Sequence, residues 1–189
     1  AVATLTTEDL LDAGEATPIS ALYAAPSTNR LWVSLPGTGR VLALDLEAAA
    51  FFGPTPAALE SLDGFADPAG LVQTDTGLLV AERGAHRLTS ITDRSTFAGD
   101  GLRGTVDGPL ALARFDAPHA LAWDAARKHL WVGQASGHLR LVVSNEVITV
   151  LRPGGESGPR DGPLADARLG LPLCLISGPY LFVLDADPG

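Results

Sequence analysis

Two stretches in the second half of the chain are almost identical. Asp107-Gly-Pro-Leu-Ala-Leu-Ala-Arg114 returns as Asp161-Gly-Pro-Leu-Ala-Asp-Ala-Arg168, with seven of the eight residues the same and a displacement of 54 residues. A proline follows each copy, at Pro118 and Pro172. Self-similarity at a fixed period is typical of repeat architectures, in which each unit buries its apolar faces against its neighbours. The chain is therefore expected to consist of repeated supersecondary units.

Proline positions extend this repeat over most of the chain, because Pro18, Pro68, Pro118 and Pro172 follow one another at spacings of 50, 50 and 54 residues. After each proline come two short apolar runs separated by a turn, and the first three units continue with a third and a fourth run. Short β-prone runs bounded by Gly, Pro, Asp and Ser predict strands. Four such strands in a unit of about 50 residues are typical of propeller blades.

The predicted fold is therefore an all-β propeller of about four blades, each with four short antiparallel strands. The blades are expected to span about residues 18–67, 68–117 and 118–171, with an incomplete last blade at 172–189. Residues 1–17 form a separate segment, and its β-prone piece Val2–Thr6 is a candidate for a ring-closing strand. Because four short blades make a tight ring, two alternatives stay open: the chain is part of a longer propeller, or self-association completes the ring.

The residues that carry the repeat resemble the NHL-repeat family of β-propellers. In the third unit the likeness rests on Asp107-Gly108, Ala111–Phe115, Pro118 and Leu130–Val132. In the second unit it rests on Gly77–Leu88, where Glu82 takes the place of the usual Asp and Ala85 that of the usual Asn. The resemblance covers roughly residues 18–189 and implies a propeller, although such propellers usually have six blades.

One further element of the family pattern is a glycine two residues after the repeat proline. It is present as Gly70 in the second unit, whereas the third unit has Ala120. The family also includes lyases and lactonases that bind a metal in the propeller channel through His, Glu, Asp and Asn side chains. The resemblance therefore implies an alternative function, a metal-assisted lyase or lactonase with its site around His119 and Glu82.

Composition excludes several classes of partner and cofactor. With 13 Lys and Arg against 22 Asp and Glu, the net charge is −9, so a nucleic acid partner is not expected, because phosphate binding relies on basic side chains. No apolar run is long enough for a membrane span, and no membrane partner is expected. Gly99, Gly101 and Gly104 have dinucleotide-motif spacing but stand within a β repeat rather than before a helix. No cofactor is predicted.

Several residues have a structural interpretation beside a functional one. Asp107 and Asp161 are expected to form turns, and Arg114 and Arg168 to bind loop carbonyls. His119 begins an innermost strand near the channel, and a hydrogen-bonded structural histidine is favoured over a metal ligand. The lone cysteine, Cys174, stands in an apolar run, and a buried structural thiol is expected there.

The favoured function is a non-catalytic scaffold that binds a protein or peptide through the face formed by the connector loops. On that face, arginines are expected to bind acidic side chains of the partner. His86 is expected at the surface, while Glu82 and His119 are expected near the channel mouth. The predicted partner-binding residues are Arg83, His86, Arg103, Arg160, His119 and Glu82.

Overall fold

The computed structural model describes residues 18–25, 28–45, 58–153 and 160–186, and within them the chain is all-β. Beside the strands there is a short 3-10 helix at Pro36–Thr38. The predicted ring-closing piece Val2–Thr6 lies outside the described residues. No helix in the described part of the chain is long and apolar enough to cross a membrane.

The strands form four sheets that follow one another along the chain. Sheet 1 contains β1 (Ala21–Ala25), β2 (Arg30–Leu35), β3 (Arg40–Asp45) and β4 (Ala58–Leu62). Sheet 2 contains β5 (Pro68–Thr74), β6 (Gly77–Glu82), β7 (Arg87–Ser90) and β8 (Thr96–Ala98). In both sheets each strand runs antiparallel to the next one in sequence.

Sheet 3 has the same antiparallel order with two short additions. Its main strands are β10 (Pro118–Asp124), β11 (His129–Gln134), β12 (Leu139–Val143) and β13 (Glu146–Pro153). The two-residue strands β9 (Gly108–Pro109) and β14 (Arg168–Leu169) pair with β13, antiparallel and parallel respectively. Sheet 4 contains β15 (Leu171–Ser177) and β16 (Leu181–Ala186), again antiparallel.

Local sequence explains the tight reversals between strands. Between β12 and β13, Ser144 and Asn145 both have positive φ, 50° and 67°, and Val143 pairs directly with Glu146. Positive φ at both central residues is typical of the type I′ hairpin turn, whose twist matches that of the flanking strands. The turn therefore sets the register that places the apolar residues of β12 and β13 toward the neighbouring sheets.

The sheets stack in sequence order through their first strands. β5 lies beside β1 on one side and β10 on the other, and β10 lies beside β15. Apolar side chains fill the space between each pair of adjacent sheets. Buried or partly buried examples are Tyr23, Val41, Leu71 and Val80 between sheets 1 and 2; Val72, Leu88, Leu121 and Val132 between sheets 2 and 3; and Ala122, Trp131, Leu175 and Val183 between sheets 3 and 4.

The two ends of this stack differ in the burial of their outer faces. In sheet 1 a second apolar cluster of Val33, Leu35, Leu42 and Leu44 is at most 2% exposed. In sheet 4 the outward side chains are open, with Phe182 and Leu184 both 62% exposed. The all-β class and the succession of antiparallel strands are thus confirmed, and sheet 4 has two strands among the described residues.

The prediction of a buried Cys174 is wrong, because its side chain is exposed. The pairing of β15 with β16 is irregular between Pro172 and Cys174, and both Leu173 and Cys174 are exposed while Leu175 is buried. An apolar run in a strand indicates burial on both faces only when both faces are covered. Sheet 4 is covered on one face.

Candidate functional site

A fully buried arginine joins the repeated connector to the strands of sheet 3. Arg140 lies in β12, and its Nη2 donates to Asp107 Oδ1 at 2.7 Å and to the Val106 carbonyl at 3.0 Å. Its Nη1 donates to Gln134 Oε1 and to the Arg114 carbonyl, both at 2.9 Å. One guanidinium thus fixes the connector at two points and holds it against the second and third strands.

Asp107 also binds the fourth strand, since Thr149 donates its hydroxyl to Asp107 Oδ1 at 2.8 Å. Burial by itself raises the pKa of Asp107, but the hydrogen bonds from Thr149 and the charge of Arg140 outweigh it and hold the pKa below its ordinary value. The sequence interpretation of Asp107 as a turn residue missed this ion pair. The available signal was Arg140 itself, a lone charge inside the apolar strand Leu139–Val143.

Of the two arginines that end the repeated motif, Arg168 behaves as predicted. It donates to the loop carbonyls of Ala165 and Ala167 at 3.1 and 2.7 Å. Arg114 does not, because its guanidinium pairs with the Asp100 carboxylate at 2.7 Å. The two copies of the repeated motif therefore have different contacts.

Glu82 ends β6 and its side chain is 1% exposed. Its Oε2 accepts the backbone N–H of Ala66 at 2.7 Å, and its Oε1 accepts from Arg87 Nε at 2.9 Å and from the Thr89 hydroxyl. Burial raises the pKa of Glu82, but the hydrogen bonds from Thr89, Ala66 and Arg87 together keep it below its ordinary value. Glu82 is thus a charged hydrogen-bond acceptor that ties the start of sheet 2 to its second and third strands.

Glu82 should make stability fall in acid. A carboxyl with a lowered pKa stabilises the fold above its unfolded pKa, and this contribution is lost as the pH falls through the folded pKa. Glu82→Gln should lower the free energy of unfolding at pH 7 by about 1–3 kcal/mol, because Thr89 and Arg87 lose a charged acceptor. It should also flatten the loss of stability below pH 4.5, the ordinary Glu value. Urea unfolding at several pH values measures both effects.

The control for this experiment is Glu146→Gln, since Glu146 is an exposed glutamate at the start of β13. It should leave the pH dependence unchanged. An equally steep acid loss in the Glu82→Gln variant would contradict the assignment.

Two of the predicted partner-binding arginines already pair with carboxylates of this chain. Arg83 donates to both oxygens of Asp67, at 2.9 and 2.8 Å. Arg103 donates to both oxygens of Asp116, at 2.7 and 3.3 Å, and its side chain is 73% exposed. Exposed pairs of this kind leave part of the guanidinium free to bind a second acceptor, because Arg has five N–H donors.

Two more of these residues are placed mainly by backbone contacts. His86, with φ of 53°, is half-buried, and its Nδ1 accepts the backbone N–H of Ala117 at 3.1 Å. His86 thus connects the turn after β6 to the connector before β10, and its side chain stays partly exposed. Arg160 is exposed and forms an antiparallel bridge to Arg168, with N···O distances of 3.0 and 2.9 Å.

His119 links sheet 3 to sheet 4. Its Nε2 lies 2.7 Å from the carbonyl oxygen of Pro172, which accepts a hydrogen bond from it, and its Nδ1 lies 3.3 Å from the carbonyl of Ala117. Burial lowers the pKa of His119 and outweighs the opposite effect of the two carbonyls. The geometry is that of a hydrogen-bonded histidine, in agreement with the structural interpretation from sequence.

His119 also lines a cavity of about 470 Å³. The first strands of all four sheets, β1, β5, β10 and β15, contribute to its wall, and the exposed Cys174 lies in that wall as well. Glu82 does not line this cavity, so the structure separates the two residues of the enzyme alternative. Among the described residues no group of three or more His, Cys, Asp or Glu side chains is close enough to hold a metal ion. The lyase or lactonase alternative stays a prediction.

Similar proteins are found among solved structures only at the level of the fold. No protein-family model matches the chain, and no curated protein sequence matches it. A structural genomics protein of unknown function from Bacteroides thetaiotaomicron VPI-5482 is 16% identical with a TM-score of 0.69, over 89% of this chain and 44% of that one. An auxiliary nutrient binding protein from the same organism is 17% identical with a TM-score of 0.60, over 85% and 43%.

The chain thus spans less than half the length of these two proteins. At such low identity the likeness concerns the fold alone. The all-β arrangement of successive antiparallel sheets in this chain resembles the fold of these two proteins.

Proposed function

We propose that the four sheets are blades of an NHL-like β-propeller and that the chain is a non-catalytic scaffold for a protein or peptide partner. Three observations support the blade arrangement. Each sheet begins at a repeat proline or within a few residues of it, adjacent sheets meet through their first strands, and those first strands surround one cavity. This is the geometry in which short four-stranded sheets stack around a central channel.

The partner binds on the connector-loop face, and the observation that carries this assignment is the set of apolar side chains exposed there. In the connector before sheet 3, Leu102 is 55% exposed, Val106 44% and Leu112 67%. Arg103, 73% exposed, stands directly beside Leu102. Apolar side chains flanked by an arginine are typical of the anchor residues in protein interfaces.

This connector is held in place although its apolar side chains are open to solvent. Gly99 N–H donates to the Leu110 carbonyl at 2.8 Å, and Gly104 N–H donates to the Phe115 carbonyl at 3.1 Å. The ion pair between Arg114 and Asp100 and the buried Arg140 add side-chain contacts. A surface fixed in this way loses little conformational entropy on binding, which favours affinity.

Site-specific photocrosslinking tests this proposal. A benzophenone side chain at Leu112 should capture a partner protein from the native source, whereas the same group at Ala125, in the exposed turn between β10 and β11, should not. With the captured partner purified, Leu102→Glu combined with Leu112→Glu should weaken binding by roughly tenfold or more, because each change removes an apolar anchor. Titration calorimetry measures the affinity.

Two arginines predicted to bind the partner are tested separately with Arg103→Glu and Arg160→Glu in one chain. This double variant should reduce the affinity more at low salt than at high salt, because salt screens exposed charges. Equal capture from positions 112 and 125, or unchanged affinity in both double variants, would overturn the connector face as the binding surface.

A further inference from the structure

A second, smaller cavity lies between sheets 2 and 3, where their first strands end on the side opposite to the repeat prolines. Its volume is about 160 Å³. Sheet 2 contributes Thr74 at the end of β5 and Phe97 of β8, and sheet 3 contributes Trp123 of β10 and Leu130 of β11. These strands all belong to the continuous described stretch 58–153, so one uninterrupted segment forms the walls. We call this space the inter-sheet cavity.

The buried part of the lining is mainly apolar and aromatic. Leu130 and Val142 are buried, and the rings of Phe97 and Trp123 are partly buried against the core cluster that fills the space between the two sheets. Aromatic rings prefer offset or edge-to-face contacts with other rings, and such pairs add to the gain from burial alone. The walls of the inter-sheet cavity therefore favour an aromatic ligand over a polar one.

The polar groups of the lining are bound to groups of this chain. Thr74 donates its hydroxyl to the Gly77 carbonyl at 2.9 Å and accepts the backbone N–H of Thr76 at 3.2 Å. Lys128 is exposed and pairs with Asp75, which joins the turn after β5 to the turn after β10. The cation beside the cavity is thus already compensated by a carboxylate. An ion entering from water would lose hydration without gaining a free counter-charge, and such a transfer is costly.

The wall contributed by the connector is fixed by backbone hydrogen bonds. Leu110 donates its N–H to the carbonyl of Asn145 at 3.1 Å, and its own carbonyl accepts the N–H of Gly99 at 2.8 Å. Asn145 belongs to the type I′ turn between β12 and β13. Ligand sites are usually largely pre-formed, and a wall held in this way does not have to be ordered on binding.

We propose that the inter-sheet cavity binds an uncharged small molecule with a single aromatic ring. Its size fits this class, because apolar protein cavities of about 150 Å³ bind benzene. The ring lies between Phe97 and Trp123 and covers Leu130 and Val142. A ligand with two fused rings exceeds the space, and a charged one meets only the compensated pair of Lys128.

The surroundings of the mouth favour a small molecule over a side chain of a partner polypeptide. A protein interface needs apolar area well beyond one pocket, with a core of large exposed side chains. In the described part of the chain, no lining residue of this cavity is a strongly exposed large apolar one. The exposed residues of its lining are Thr76, Lys128, Ser144 and Asn145.

Toluene is the probe, followed by amide NMR spectra of the isotope-labelled 189-residue chain. The amide signals of Phe97, Leu110 and Val143 should shift and saturate, with a dissociation constant of about 1 mM or lower, as expected for a ligand of this size. The signals of Leu175 and Ile176 should stay in place, because these residues line the larger cavity. Benzoate should bind at least about tenfold more weakly than toluene, because its carboxylate loses hydration.

Two variants fill the inter-sheet cavity from different sides. Leu110→Trp fills it from the connector and Val143→Phe from β12, and each should weaken toluene binding by about tenfold or more, because the added side chain takes the place of the ring. Leu164→Trp is the matched control. Leu164 occupies the position of Leu110 in the second copy of the repeated motif, is 63% exposed and does not line the cavity, so this variant should bind toluene as the unmodified chain does.

The proposal is overturned if toluene causes no saturable shift, if the shifts centre on Leu175 and Ile176, or if both filled variants bind toluene like the unmodified chain. Benzoate binding as tightly as toluene would overturn the uncharged class. The shifts of the unmodified chain locate the site even where a filled variant does not fold. None of these outcomes bears on the connector face, because Leu102, Arg103 and Leu112 do not line the inter-sheet cavity.

Discussion

Arg140→Leu should lower the free energy of unfolding by about 3–5 kcal/mol, the usual cost of removing one member of a buried charged network. The substitution leaves Gln134 Oε1 without its donor and removes one of the two donors to each of the carbonyls of Val106 and Arg114. It also releases the Asp107 carboxylate from its cation. The side chain of Arg140 is fully buried, so water cannot replace the guanidinium without opening the space between connector and sheet.

Arg103→Leu is the matched control, because it removes an arginine from a two-point carboxylate pair at the surface, where the Arg103 side chain is 73% exposed. Exposed pairs of this kind contribute about 0–1 kcal/mol. Guanidinium chloride unfolding of both variants measures the difference. Equal losses in the two variants would mean that Arg140 contributes as a surface charge does, contrary to its burial.

Gly70→Ala should destabilise the interface between sheets 2 and 3 by about 1–3 kcal/mol or more, as overpacking of a closed core does. A Cβ at position 70 would lie 2.5 Å from the carbonyl oxygen of His119 and 3.1 Å from the amide nitrogen of Leu121. Both atoms belong to the backbone of β10, so no side-chain rotation relieves the contact. The two first strands would have to move apart.

Gly178→Ala is the control for Gly70→Ala. Its Cβ would meet no atom nearer than 3.9 Å, the carbonyl oxygen of Tyr180. Thermal unfolding of both variants should show a lower Tm for Gly70→Ala and a change close to zero for Gly178→Ala. A Tm for Gly70→Ala equal to that of the unmodified chain would contradict the close approach of β5 and β10.

The succession of strands could be predicted from the sequence because the signals are local. Strands β12 (Leu139–Val143) and β4 (Ala58–Leu62) are such third and fourth runs of their units. Apolar runs and the turn residues between them determine such elements without reference to the rest of the chain. The repeat also predicts that the sheets pack in sequence order, since equivalent units pack against their neighbours in equivalent ways.

The contacts of individual side chains could be predicted less well, because they depend on which faces are covered. Cys174 stands in an apolar run and is nevertheless exposed, since one face of sheet 4 is open. Arg140 is buried although arginine is usually a surface residue. Its position follows from the pairing of Asp107 with the third strand, a contact between residues 33 positions apart.

The family glycine shows how a sequence departure is explained by a neighbour. Gly70 faces the backbone of β10 at a distance that excludes a side chain, and Ala120, at the same place in the next unit, lies beside sheet 4 with its Cβ close to Gly133. In this unit the glycine is Gly133, which pairs with Ala120 from the neighbouring strand β11. Whether the position needs a glycine is therefore decided by the pair of sheets, which a single repeat unit does not reveal.

The cavity lined by the four first strands has a consequence for communication along the chain. Among the described residues, the strands of different sheets that pack closely against each other belong to sheets that are adjacent in sequence order. The cavity wall is where β1 and β15, from the two ends of the stack, face the same space. A molecule filling it would touch every sheet at once and turn a series of nearest-neighbour couplings into one cooperative unit.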